Sequence, residues 1–483
     1  MHPMQADADI PSVTASWSPQ ERESFFAAIA RHRRAAWQVT AVGRLCALVL
    51  ALVVAILMSP LLYAVIGVVL DLLNWVVRTP DLIKTITQTI GDVIDRPGDV
   101  TPGRAVYLCS LAALPGLALM ALAVRTLNRI MGEAMTPEAA DLDAREPQRT
   151  DLGEHRFFNV VSEMAIAANV PAPRVLVTES ESANAAAFGR SDGEATIVVT
   201  TGLLNTLNRA ELQAIAAHLV GSIADGDMKI GTRIATVLGL FGLIARLSGS
   251  FADREAARRL MKLLRASLRR GGNSADGELA VALANPFEAG GHSPHPDDSN
   301  TSNKVPWRTL AWMPLVGPLV ISGFFGGFVS TMMLGPLLAL TWRRRKYMAD
   351  ATAVRLTRDP EALATALQKM SGAAVHGAFS AWTSHMSVVP DSNLRSKSLF
   401  SGSAVAMSPS YERRLLALRK MGAQISIARG RRMNPVMMLV LAPILALVAG
   451  LMGVALFLLV YVSIALSGFF TWLPAILIHA ILR

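Results

Sequence analysis

Cysteine is scarce in this sequence, and so are charged residues. Two cysteines occur among 483 residues, and both of them, Cys46 and Cys109, lie inside long apolar runs. They provide neither a disulfide framework nor a zinc knuckle. Charged residues make up 17% of the chain and hydrophobic residues 52%, which is more apolar than a soluble domain tolerates. The composition therefore predicts an integral membrane protein.

Charge is absent from four runs that are long enough to cross a bilayer, which takes about 20 apolar residues. These predicted spans are residues 45–70, 106–124, 310–340 and 436–466. Two further runs, 230–247 and 469–482, are marginal, because the first carries arginine near both ends and the second is short. A transporter or channel would need ionisable residues inside its spans, and the four clear spans have none.

An apolar leader is also missing, since the first span begins only at residue 45. We therefore expect a retained anchor rather than a cleaved signal peptide. The formal net charge of +10 suggests nucleic acid as an alternative partner, but basic residues such as Arg44, Arg125 and Arg343 flank the spans. This arrangement is typical of the cytoplasmic ends of membrane helices, so no nucleic-acid partner is expected.

The sequence between the second span and residue 228 has the patterns of a folded polar domain. Asn169 ends one helical pattern, and Asn208 with Glu211 forms a predicted capping box that starts another. Residues 254–270 form a basic segment that suits either a solvated helix or a helix lying on anionic headgroups. The composition of residues 271–304 predicts a linker. The predicted elements of the polar domain are a helix at 157–168, strands at 174–178 and 195–200, and a helix at 209–218.

Three blocks in this domain carry a family likeness. They read A-N-V-P-A-P-R-V at 168–175, N-A-A-A-F-G at 184–189 and V-T-T-G-L-L at 199–204. In order and spacing they resemble the HtpX-type membrane zinc metalloproteases, which are related to the CaaX prenyl proteases. The resemblance implies a mainly α, polytopic membrane protein with a zincin-like (gluzincin) α+β metalloprotease domain between transmembrane helices. It also implies a bacterial-type inner membrane location, multi-pass, with the soluble domain facing the cytoplasm.

The resemblance and the apolar runs together divide the chain into eight parts. Two hydrophobic stretches, 230–250 and 307–341, lie between the halves of the protease-like domain. Because the two halves must meet in one site, they lie on the same side of the membrane, so both stretches cross it or neither does. We favour an in-plane or re-entrant placement of residues 230–247. The expected parts are a cytoplasmic segment at 1–44, a transmembrane hairpin at 45–124, half-domains at 125–229 and 342–432, the hydrophobic segment at 230–250, a basic helix with linker at 251–306, and transmembrane segments at 307–341 and 433–483.

The zinc motif of that family is degenerate in this sequence. In H-E-x-x-H the two histidines lie on one helix face and bind zinc, while the glutamate is the general base. Here His218 is the only retained ligand, Leu219 stands at the general-base position and Ser222 stands at the second ligand. The third ligand, a glutamate in the family's R-E-Y-x-A-D-A pattern, is replaced by Lys346.

Other positions of the two motifs are retained. Asp227 and Asp350 match supporting residues of the family. His218 suits a hydrogen-bonded core histidine, and Lys346 could reach water or pair with Asp350 one turn later. A sharper hypothesis is that the Lys346 ammonium fills the vacated metal position and ties two helices together near His218.

The leading functional hypothesis is a pseudoprotease that binds proteins without cutting them and needs no zinc. Its expected partners are the lipid bilayer, protein or peptide clients in an extended conformation, and an active homologue. The strand Val198, Val199, Thr200 and Thr201 is expected to border the groove and pair with clients. The alternative is an active zinc metalloendopeptidase of membrane protein quality control that uses atypical ligands, such as His376 or His385 with His218.

Overall fold

The structure is a computed structural model of the whole chain. It describes residues 22–95, 101–134, 143–249, 334–372, 386–389 and 408–425, together with most of 458–482 and single residues at 136 and between 258 and 265. Most of the predicted span at 310–340 and most of the one at 436–466 lie outside these residues. So do His376, His385 and most of the segment at 251–306.

Three helices are long and apolar enough to cross a membrane: α1 (Phe25–Leu73), α3 (Pro102–Ala134) and α11 (Tyr461–Leu482). They contain the predicted spans at 45–70, 106–124 and 469–482. Large apolar side chains on their surfaces are exposed, among them Leu45, Leu48 and Leu114. Such exposure would be unfavourable in water and is expected against lipid, so these helices confirm a membrane protein.

Helix α1 begins well before the predicted span. Ser24 caps it by accepting a hydrogen bond from the Ala27 amide, and the helix then continues without a break through residue 44. The expected boundary between an N-terminal segment and the first span therefore does not coincide with a helix end. The loop expected between the first two spans contains a further helix, α2 (Leu82–Asp95).

Helices α1 and α3 touch through small residues. The Gly116 amide donates to the Ser59 hydroxyl, which donates in turn to the Ala55 carbonyl. A Cβ atom added at Gly116 would lie 2.1 Å from the Ala55 carbonyl oxygen. Only glycine permits this approach of two backbones, a common feature of helix pairs in membranes.

Gly116→Leu should therefore lower the stability of the membrane hairpin, because the obstructing atom belongs to the backbone. We expect a loss of about 1–3 kcal/mol, seen as a lower melting temperature in detergent. Gly103→Leu is the matched control, since Gly103 lies in the same helix with nothing within 4 Å of an added Cβ. Equal melting temperatures for the two variants would contradict this packing.

The polar domain contains a four-stranded sheet of order β1-β2-β4-β3. Strand β2 pairs in parallel with β4, whereas β1 and β3 pair antiparallel with β2 and β4 respectively. Strand β3 therefore lies at one edge, next to β4. The strands are β1 (Ala144–Arg145), β2 (Arg174–Thr178), β3 (Ala185–Phe188) and β4 (Thr196–Thr200).

Helices cover this sheet, and their ends follow the local signals in the sequence. Asn169 ends α4 in the left-handed conformation, and the capping box of Asn208 and Glu211 starts α6, as predicted. Helix α6 continues past His218 to Ala224. The helices are α4 (Leu152–Ala168), α5 (Thr201–Thr206), α6 (Arg209–Ala224), α7 (Asp227–Gly249), α8 (Gly335–Thr357), α9 (Pro360–Gly372) and α10 (Tyr411–Lys420).

Helix α8 connects the polar domain to the membrane hairpin. On one side it crosses α6 closely, since a Cβ at Gly221 would lie 2.8 Å from the Thr352 side chain. On another side Met348 and Ala351 pack against Ala28 and Ile29 of α1. Helix α7 packs against α3 instead and is not among the three helices able to cross a membrane by length and composition. Its in-plane or re-entrant placement stays a prediction.

Candidate functional site

The site forms where α6 and α8 cross, and its centre is fully buried. His218 on α6 lies with its Nδ1 atom 2.9 Å from Asp350 Oδ1 on α8, and neither side chain is exposed. Burial lowers the pKa of the His218 imidazole, so the ring is neutral near pH 7. The structure therefore brings together the two motifs that the sequence separates by more than a hundred residues.

Arg414 on α10 completes this centre. It donates to both carboxylate oxygens of Asp350, at 2.9 and 2.6 Å, and is itself 3% exposed. Burial alone would raise the pKa of Asp350, but the Arg414 charge and the contact with His218 outweigh it and lower the pKa. Sequence reasoning did not assign Arg414 to the site.

Arg414→Met should destabilise the protein strongly, because it would leave the Asp350 carboxylate buried without its cation. We expect about 3–5 kcal/mol, measured as a fall in melting temperature in detergent. Arg413→Met is the matched control, since Arg413 is exposed on the same helix. A similar, small effect of both variants would show that the ion pair does not hold the site.

Ser222, at the position of the family's second zinc ligand, binds the turn that follows α6. The Ser222 hydroxyl donates to Asp227 Oδ2 at 2.6 Å. The other oxygen of Asp227 accepts from Arg345, which also donates to the Asp225 carbonyl. Burial, followed by the nearby Asp227 charge, raises the pKa of Asp225. Ser222 and Asp227 thus stabilise the junction of α6, α7 and α8.

Lys346 points into the site and binds a peptide group. Its ammonium donates to the Ser387 carbonyl at 2.7 Å, and the residue is 4% exposed. The hypotheses that Lys346 reaches water or pairs with Asp350 are therefore wrong, because burial excludes the first and Arg414 takes the carboxylate. Nor does the ammonium tie α8 to α6 by a hydrogen bond, since the carbonyl that it binds lies in the segment 386–389. Burial, then repulsion from Arg414, lowers the pKa of Lys346 from 10.5 to about 8.

This shift predicts a pH dependence of stability. Between pH 8 and 10.5 the unfolded chain keeps the Lys346 proton while the folded protein loses it, so stability rises with pH across that window. The full shift corresponds to roughly 3 kcal/mol. Melting curves of wild type and Lys346→Met from pH 7 to 10.5 should show this rise only in the wild type. Lys420→Met, an exposed control, should follow the wild-type profile; a parallel profile for Lys346→Met would contradict the assignment.

The strand expected to pair with clients lies inside the sheet. Val198, Val199 and Thr200 belong to β4, which is hydrogen-bonded to β2 on one side and β3 on the other. Thr201 is already the first residue of α5. The prediction that these four residues form the pairing edge is therefore wrong, because both edges of β4 are taken. The edge next to the site is β3.

Comparison with known proteins decides the family. The model of peptidase family M48 matches residues 152–422, which is more than half of the chain and includes the whole site. The chain belongs to peptidase family M48. The HtpX-like assignment and the mainly helical, zincin-like fold predicted from the sequence are confirmed. Three candidate membrane helices and bacterial relatives identify it as a membrane protein of the bacterial type.

Several relatives carry the name Protease HtpX homolog. The one from Streptococcus equi subsp. equi is 31% identical over 215 residues, which is 44% of this chain and 57% of that protein. The relative from Thermoanaerobacter pseudethanolicus is 28% identical over 214 residues, covering 44% of this chain and 56% of its own length. The chain thus spans little more than half of these relatives. No solved structure matches it.

M48 peptidases are zinc enzymes, so the fit of a metal can be tested on the residues. His218 Nε2 has no hydrogen-bond partner among the described residues and could be one ligand. Leu219 is 1% exposed within the hydrophobic core, Ser222 binds Asp227, and Lys346 brings a positive charge. Zinc takes three protein ligands and water, and the described residues here do not provide them. One converging group of three metal-capable side chains in the described part lies elsewhere, at Asp71, Asp81 and His479.

Proposed function

We propose that this M48-family protein binds extended polypeptide at the membrane and does not hydrolyse it. One observation carries the proposal: the Lys346 ammonium, at the position of the family's third zinc ligand, donates to the peptide carbonyl of Ser387. A buried cation at this point can hold a main-chain carbonyl. It cannot supply the metal-bound water that hydrolysis in this family requires.

The surrounding residues favour binding of a polypeptide over its hydrolysis. A general base must reach the attacking water, and position 219 carries a buried leucine instead of a carboxylate. The Asp350 carboxylate of the site is fully engaged by Arg414 and His218. Lys346 and Arg414 give the site positive charge, and neither of them supplies a nucleophile.

The position of the site favours clients that emerge from or lie near a membrane. Helix α8, which carries Lys346, packs on the N-terminal part of α1. Arg33 of α1 also lies 3.6 Å from Asp225 beside the site. Unfolded membrane-protein segments are therefore the proposed clients, and regulation of an active homologue through shared clients is a related role. We propose further that the domain faces the cytoplasm, which the basic residues flanking the spans support.

The test measures zinc per chain in detergent-purified protein together with cleavage of an unfolded substrate such as casein. We expect substoichiometric zinc and no cleavage, with retained binding of the substrate. The combined variant Leu219→Glu, Ser222→His and Lys346→Glu should gain zinc, because it restores two ligands and the base. Lys420→Glu, which reverses the charge of an exposed lysine outside the site, is the control for the charge reversal at position 346.

Stoichiometric zinc with cleavage by the unmodified protein would overturn the proposal. That result would support the alternative of an active endopeptidase with atypical ligands, for which His376 and His385 are the candidates. Because the unmodified protein gives this answer, the test does not depend on the folding of the triple variant.

A further inference from the structure

Segment 386–389 lies along the side of β3 that faces away from β4. The Val388 amide donates to the Ala185 carbonyl at 2.8 Å, and Ser387 pairs antiparallel with Ala186. In this pattern Ala186 and Ser387 form a non-hydrogen-bonded pair, so the peptide groups of Ser387 point away from β3. The segment therefore presents the Ser387 carbonyl to the interior of the site, where Lys346 binds it.

Asn184, the residue before β3, holds the end of the segment. Its amide nitrogen donates to the Val389 carbonyl at 2.8 Å, and its amide oxygen accepts from the Val389 amide at 3.3 Å. A side-chain amide that engages both main-chain groups of one residue recognises backbone rather than a side chain. These contacts would be available to any extended chain at this edge.

Two cations bind consecutive carbonyls of the same segment. Lys346 takes the Ser387 carbonyl at 2.7 Å and Arg414 takes the Val388 carbonyl at 2.6 Å. Charge-assisted bonds of this kind are stronger than neutral ones and are buried here. The segment is therefore held by the sheet edge on one side and by the charged centre of the site on the other.

The segment's side chains show what the edge accepts. Val388 is completely buried in the main hydrophobic core, and Met386 and Ser387 are 5% and 1% exposed. The edge thus combines an apolar pocket for a β-branched residue with room for only a small residue opposite Ala186. The pattern that fits this edge is therefore apolar–small–β-branched.

We infer that residues 386–389 are an internal occupant of the client site, and that an extended polypeptide of the same pattern binds β3 by displacing them. The inference rests on the proposed function and adds its regulation. A client would regain the bonds to Ala185, Asn184, Lys346 and Arg414 that the segment gives up. Exchange is then a competition between two strands for one edge, and client affinity depends on how firmly the internal strand is held.

A disulfide between β3 and the segment provides the test. Cα atoms of a non-hydrogen-bonded antiparallel pair lie about 4.5 Å apart, within the range that a disulfide spans. Both native side chains at Ala186 and Ser387 are small, so the double variant Ala186→Cys/Ser387→Cys fits the space. The probe is a fluorescent peptide with the sequence of residues 384–391, S-H-M-S-V-V-P-D, and a scrambled peptide is its control.

Oxidation of the double variant should weaken probe binding by about tenfold or more, and reduction should restore it. The single variant Ser387→Cys is the matched control, because it carries the native Cys46 and Cys109 but lacks the cysteine at position 186. Its binding of the probe should be the same with and without oxidant. Val388→Pro removes the amide that donates to Ala185 and should strengthen probe binding by about tenfold.

The outcomes separate this inference from the proposed function. Equal probe binding by the oxidised and reduced double variant would show a permanent fifth strand and overturn the inference, while binding itself would support the proposed function. Absence of probe binding in every form, including Val388→Pro and the reduced double variant, would overturn both. Because the disulfide compares one protein in two redox states, a folding defect of Val388→Pro does not remove the test.

Discussion

Asp350 is the residue on which the site depends, because its carboxylate is buried and must be neutralised within the protein. Arg414 supplies the cation and His218 contacts the same oxygen from the other side. These three side chains come from three helices, α8, α10 and α6, so their mutual attraction fixes the angles at which the helices cross. A buried carboxylate without such partners would cost several kcal/mol, which makes the arrangement cooperative.

Charged side chains organise the described part of the site. Lys346 and Arg414 carry positive charge in the region, and each of them donates to a carbonyl of segment 386–389. Ser222 stabilises the turn after α6 through Asp227. The fold therefore presents a peptide carbonyl to the cation at position 346.

Local patterns predicted a large part of the fold. The capping box at Asn208 and the left-handed Asn169 set helix ends through bonds between near neighbours, and the apolar runs of α1 and α3 required a membrane. The pairing edge was assigned to β4 instead of β3, because both are short apolar strands and their order depends on the whole sheet. Arg414 was overlooked for a similar reason, since no local spacing links it to Asp350.

The sequence by itself determined the membrane anchoring, the family and the identity of the residues at the family's zinc-ligand positions. These follow from hydropathy and from motifs whose spacing is fixed along the chain. Only the tertiary structure decided that Lys346 binds Ser387, and that segment 386–389 lies against β3. Ala185 and Val388 are about two hundred positions apart, and their hydrogen bond exists only because packing of α6, α8 and α10 leaves one edge of the sheet facing the charged centre.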